Sequence, residues 1–288
     1  VSTERDPLVS TEWLAAHLHD ADLRVVDATW YLPHLKRDPR AEYLSAHVPG
    51  AVFFDIDEIK DPQNSLPHML PPAPDFARAV GALGIEDGDR VVVYGGRNGI
   101  AAARVWWTFR VFGYDRVAVL DGGLARWRAQ GYAVEQGPVS PGPRRFSARL
   151  RPELVRDLEA IRGNLESRRE QVLDARSSGR FFGTEPELRP GLRSGHIPGS
   201  RNLPYDRLFH ADDGTMLEPA ALGRAFAAAG IDADKPVVTT CGSGVSAAVL
   251  ALALYRLGRR DVPVYDGSWT EWGGRSDTPV TTDPPRSP

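Results

Sequence analysis

The chain holds one cysteine in 288 residues, Cys241. A single thiol excludes an intramolecular disulfide and any multi-cysteine zinc site, and it suits a reducing compartment. Long apolar runs are missing too: nothing approaches the roughly 18 residues that mark a membrane helix, and Val1 to Leu8 carry no basic-then-apolar leader. The expected location is therefore the cytoplasm. Excess charge is absent, with 35 Lys and Arg against 38 Asp and Glu, a net charge of −3 and a pI near 6.2. That balance leaves no electrostatic footprint for nucleic acid. Lysine occurs only at Lys36, Lys60 and Lys235, so nearly every basic side chain is arginine. What is present is length and apolar content, 42% hydrophobic residues, sufficient for two cores.

An internal repeat with a register of about 145–149 residues organises the chain. R-V-V-D-A-T at Arg24 to Thr29 returns as Q-V-L-D-A-R at Gln171 to Arg176, and A-H-V-P-G at Ala46 to Gly50 returns as G-H-I-P-G at Gly195 to Gly199. In the same order, D-R-V-V-V-Y-G-G at Asp89 to Gly96 answers K-P-V-V-T-T-C-G at Lys235 to Gly242, and V-L-D-G-G with Trp127 answers V-Y-D-G-S with Trp272. Gly95 stands where the second half has Cys241, so only the second half can do thiol chemistry.

Each half alternates strand and helix signals. The first predicts a helix from Ser10 or Thr11 to Leu18, a strand over Arg24 to Asp27, a helix over Ala73 to Leu83 and a strand over Arg90 to Tyr94. A helix over Ile100 to Phe112, a strand over Arg116 to Leu120 and a helix over Leu124 to Gln130 complete it. The second predicts helices near Pro152 to Asn164 and Pro219 to Ala229 and a loose tail over Thr281 to Pro288. Such alternation indicates an α/β protein with a mainly parallel sheet, covered by helices on both faces, in each half. The Pro- and Gly-rich stretch from Gly137 reads as a connection, dividing the chain into 1–136, a linker 137–149, and 150–288. Trp106, Trp107 and Phe109 read as core, the G-H-I-P-G turn as structural, and Asp121 and Asp266, each before Gly, as turn caps.

Pro236 to Thr240 read as a buried strand and Val245 to Leu257 as a helix, so Cys241 to Gly244 must turn sharply between them. Such a junction can aim backbone N–H groups and the positive end of the helix dipole into the concave side of the loop, a setting for an anion. The thiolate of Cys241 is the candidate anion and nucleophile.

C-G-S-G-V-S-A, G-R-F-F-G-T-E-P-E-L-R, G-H-I-P-G and Y-D-G-S-W-T-E-W together resemble the tandem-domain sulfurtransferases of the rhodanese superfamily, and within them the 3-mercaptopyruvate branch. The likeness covers nearly the whole chain. It implies two tandem rhodanese-like domains, the second catalytic and the first without a catalytic cysteine, and a persulfide carried on Cys241. It further implies that Arg180 and Arg189 bind the substrate carboxylate and that Ser243 is the loop serine. Gly242, Gly244, Val245 and Ser246 complete the loop, Ser246 standing where threonine is commoner. The branch's interdomain Asp and His fall on Asp57 and His68 of the N-terminal half, and with Ser243 they form a candidate proton relay. The implied reaction moves sulfur from mercaptopyruvate to a thiol such as thioredoxin or a small thiol, or to cyanide, by ping-pong kinetics. It calls for no metal or organic cofactor, because sulfur itself carries the group.

Three alternatives stand beside this reading. A thiosulfate sulfurtransferase of the same superfamily would resemble C-R-K-G-V-T at the loop, where this chain has Gly242 and Ser243. A cysteine-dependent phosphatase needs an arginine six residues after the cysteine, where this chain has Ala247. A non-catalytic binding module of the same fold is opposed by the intact Cys241 loop.

Overall fold

The computed structural model describes residues 6–96 and 99–283. Most of the expected loose tail, and the first five residues of the Val1 to Leu8 segment, lie outside that range. Two compact units emerge. The first takes the chain as far as Pro62, then Leu70–Arg151 and His210–Met216; the second takes Gln63–Met69, Pro152–Phe209 and the chain from Leu217 onward. Each unit thus includes one short segment from the other half of the sequence.

In the first unit the order is β1 (Leu8–Val9), α1 (Thr11–His17), β2 (Leu23–Asp27), α2 (Pro39–Ser45), β3 (Val52–Phe53), α3 (Ala73–Ala82), β4 (Arg90–Tyr94), α4 (Ile100–Val111), β5 (Val117–Leu120) and α5 (Gly123–Ala129). The second continues with β6 (Val155–Arg156), α6 (Leu158–Ser167), β7 (Gln171–Asp174), α7 (Ser178–Phe181), β8 (Arg201–Asn202), α8 (Pro219–Ala228), β9 (Val237–Thr240), α9 (Ala247–Arg256), β10 (Val264–Tyr265) and α10 (Ser268–Trp272). The sheets run β1-β5-β4-β2-β3 and β6-β10-β9-β7-β8, every neighbouring pair parallel. These are one topology used twice, as the repeat requires.

Local chemistry sets the element ends. Ser10 caps α1 by accepting from the Trp13 N–H, and Asp38, followed by Pro39, caps α2. The expected helix over Pro152 to Asn164 is corrected: Val155–Arg156 pair in parallel with Val264–Tyr265, and the helix starts only after Asp157, whose carboxylate accepts from the Ala160 N–H. A β-branched residue with an open sheet edge beside it overrides helical periodicity there. Thr281, expected in the loose tail, instead pairs with His196 in an antiparallel bridge. Residues 137–149 are held along the first unit. The Arg144 N–H donates to Gly81 O at 2.8 Å, and Phe146 is buried edge-on against Phe76 and Phe109.

Trp106, Trp107 and Phe109 are fully buried in α4, with Arg104 and Arg110 stacked over Trp107 and Trp106. In the second unit, Leu158, Ile161, Val172, Ile197, Val238 and Tyr265 form a core with Trp269 and Trp272. Burying one such indole, at about 200 Å² and roughly 25 cal/mol per Å², contributes on the order of 5 kcal/mol. Both tryptophans belong to α10, so this short helix is fixed rigidly beside the ends of β9 and β10.

Candidate active site

The second sheet places three loops side by side at the carboxyl ends of β7, β9 and β10. The chain leaves β7 and β9 toward opposite edges of the sheet, the arrangement at which open parallel sheets hold their ligands. Cys241 follows β9 directly and is 2% exposed. Ser243 is buried, Val245 is buried, and Ser246 precedes the first residue of α9. Gly244 has φ +75°, a left-handed conformation that glycine adopts at least cost. At Gly242 a Cβ would sit 3.1 Å from Nη2 of Arg180, so a side chain there would crowd the guanidinium.

The loop is held from its carbonyl side by α10. The Trp269 N–H donates to Cys241 O at 2.9 Å, and Gly242 O accepts from both the Thr270 N–H at 2.8 Å and the Thr270 hydroxyl at 2.6 Å. Because a trans peptide sets its N–H opposite its C=O, the N–H groups of Gly242 and Ser243 point away from α10. Ser268, buried and held at φ +49°, accepts the Cys241 N–H at 3.2 Å and donates to Tyr265 O at 2.7 Å. Removing the Thr270 hydroxyl in Thr270→Val should cost about 1 kcal/mol and lower severalfold any turnover that Cys241 carries, read by thermal melting and steady-state kinetics. If neither changes, the hydroxyl is not a support of the loop.

Arg180 projects from α7, which Ser177 caps. Its Nε and Nη2 donate to one oxygen of Glu187 at 3.1 and 2.6 Å. The other oxygen of Glu187 accepts from Arg176 at 2.6 Å, and Arg176 also donates through Nε and Nη2 to Asp174 at the end of β7. Arg176 stacks on the Trp269 ring 4.3 Å from its centroid. His196, in the G-H-I-P-G turn, is buried and stacked on Phe181 with ring centroids 3.7 Å apart. Burial pushes its pKa below the usual histidine range, as suits a packing residue. Arg189 lies half-buried in the loop that follows α7.

The remaining expected residues fall in different places. His68 is buried with φ +61° in the segment Gln63–Met69, which packs as part of the second unit although its sequence belongs to the first half. Asp57 belongs to the first unit, where its carboxylate accepts from the Trp30 indole N–H at 2.9 Å. Several residues escape sequence reasoning: Asp174, Arg176, Glu187, Ser268, Thr270, and Tyr205, whose phenol is pushed above its ordinary range by burial and by nearby Asp206 and Cys241. One signal for the charged set was visible, the change from D-A-T to D-A-R between the repeats. Asp266, which follows β10, is buried.

Two copies of one parallel topology, with the thiol at the end of the central strand of the second, define the class. The rhodanese-like domain family matches residues 10–130 and 157–275, and the chain belongs to that family. It is 46% identical to the human 3-mercaptopyruvate sulfurtransferase, over 92% of this chain and 91% of that protein. It is equally, 46%, identical to the bovine thiosulfate sulfurtransferase, over 93% and 92%. The solved structure of the 3-mercaptopyruvate sulfotransferase SseA from Escherichia coli superimposes with a TM-score of 0.85 at 38% identity, covering 92% of this chain and 99% of that one.

Proposed function

We propose that this chain is a sulfurtransferase in which the Cys241 thiolate attacks the thiol sulfur of 3-mercaptopyruvate. The carbon–sulfur bond breaks, its electron pair leaves on the methylene carbon as the enolate of pyruvate, and a proton taken up there completes pyruvate. Cys241 keeps the transferred sulfur as a persulfide. A thiolate acceptor, such as a small thiol or thioredoxin, or cyanide in an assay, then attacks the outer sulfur and the Cys241 thiolate leaves. The carrying observation is the loop itself: a buried cysteine at the end of β9, its carbonyls pinned to α10, with the Arg180 guanidinium against Gly242. Ser243 and His68, which belong to the same unit as Cys241, are the groups proposed to move the proton. One thiol, kept reduced, suits action in the cytoplasm.

Donor choice follows from charge. One cation about 4 Å from an anion near a partly exposed site is worth on the order of 1–4 kcal/mol, and this loop offers Gly242 and Ser243 where the thiosulfate-type loop offers two cations. A single carboxylate can be gripped by Arg180 and Arg189 in paired hydrogen bonds. The kcat/KM for mercaptopyruvate should exceed that for thiosulfate by at least about tenfold, measured side by side with cyanide as acceptor. Equal efficiencies would favour the second reading, a thiosulfate sulfurtransferase, which the bovine relative keeps in play. Gly242→Arg with Ser243→Lys should narrow the preference from both directions, since the new Cβ at position 242 also crowds Arg180. A non-catalytic module would show no adduct of one sulfur atom on Cys241 by mass spectrometry after incubation with donor.

A further inference from the structure

Arg180 is taken here as the donor-binding arginine, and the inference rests on that reading. A guanidinium can present a side edge, Nε with Nη2, or an end edge, Nη1 with Nη2. Glu187 occupies the side edge of Arg180. The end edge faces the loop: Nη2 and Nη1 lie 3.1 and 4.0 Å from where a Cβ on Gly242 would stand.

Glu187 is itself immobilised. Its side chain is 2% exposed, and Arg176, which holds its other oxygen, is 0% exposed and locked to Asp174, itself 1% exposed. Arg176 also donates to Gly195 O at 2.8 Å. Two arginines and two carboxylates therefore form a set with no net charge beside the reactive loop. In the first unit Thr29 stands at the place of Arg176: the buried Asp27 accepts the Thr29 N–H as Asp174 accepts the Arg176 N–H, but that position carries no guanidinium.

We propose that Glu187 is a positioning and specificity-determining residue: it sets Arg180 edge-on to the loop and cancels its charge, so that the site recognises a donor by a planar carboxylate rather than by net negative charge. A mercaptopyruvate carboxylate docks on the end edge with two parallel hydrogen bonds and needs little net field. Thiosulfate, a compact dianion, depends on the field and finds it reduced.

The test compares the full-length parent with Glu187→Gln and Glu187→Asp, using mercaptopyruvate and thiosulfate as donors and cyanide as acceptor. Glu187→Gln should raise KM for mercaptopyruvate and lower KM for thiosulfate, shifting the ratio of kcat/KM toward thiosulfate by about tenfold or more. Glu187→Asp keeps the charge but cannot reach both arginines. It should raise KM for mercaptopyruvate about fivefold while leaving KM for thiosulfate within about twofold of the parent. If Glu187→Gln does not fold, Glu187→Asp alone decides. Parallel losses for both donors would show a purely structural role and overturn the proposal. The readout is the change in ratio on substitution, so a parent that prefers thiosulfate would sink the donor reading above without blurring this one.

Discussion

Cys241→Ser folds like the parent and does not transfer sulfur. The substitution exchanges one small buried atom for another at the end of β9, and its backbone partners, Ser268 Oγ on the N–H and the Trp269 N–H on the carbonyl, do not involve the side chain. Stability should therefore stay within roughly 1 kcal/mol of the parent. The chemistry has no such tolerance. A serine hydroxyl near pH 7 supplies almost no alkoxide, and oxygen in place of sulfur cannot carry the persulfide, so turnover should fall by at least about a thousandfold with every donor. Mass spectrometry of the donor-treated variant should show no added sulfur. Residual activity above a few per cent, with the fold intact, would remove Cys241 as the nucleophile.

The second large effect is expected from cutting the chain between its halves. A fragment of residues 150–288 retains all five strands of the second sheet but lacks Gln63–Met69, which packs with that unit and carries the buried His68. Such a fragment loses part of its own packing, not merely a neighbour. It should melt at a lower temperature than the second unit does in the full chain, and its kcat/KM for mercaptopyruvate should be lower by about a hundredfold or more. Circular dichroism and steady-state kinetics on the same preparation read both. A fragment that is stable and fully active would show that neither His68 nor its segment serves the site.

The sequence made the duplicated topology legible because its central strands are long and hydrophobic. Val91 to Tyr94 and Val237 to Thr240 are buried on both faces and read as continuous apolar or β-branched runs. The edge strands β1, β3, β6 and β8 are two residues each, too short to carry periodicity. Cys241 and its glycines were legible from local turn chemistry. The supports were not, since Ser268 and Thr270 reach the loop across 27 and 28 residues of sequence, and pairing at that separation leaves no local pattern. Glu187 was hidden differently: an acidic residue in an acidic and arginine-rich segment reads as solvated surface until its burial is known.

The two copies also differ in the room each leaves for a side chain at the turn. Gly95 and Gly123 in the first unit hold the places of Cys241 and Ser268, and a Cβ on Gly95 would meet only ordinary contacts, the nearest being Ala28 O at 3.6 Å. Sterically, then, a thiol would fit at position 95. A Cβ on Gly123, however, would come within 2.5 Å of Gly95 O, whereas Ser268 carries its Cβ beside the Cys241 loop without displacing it. A cysteine placed at position 95 would therefore fit but would lack the support that Ser268 gives Cys241, because a side chain at position 123 has no room against Gly95 O.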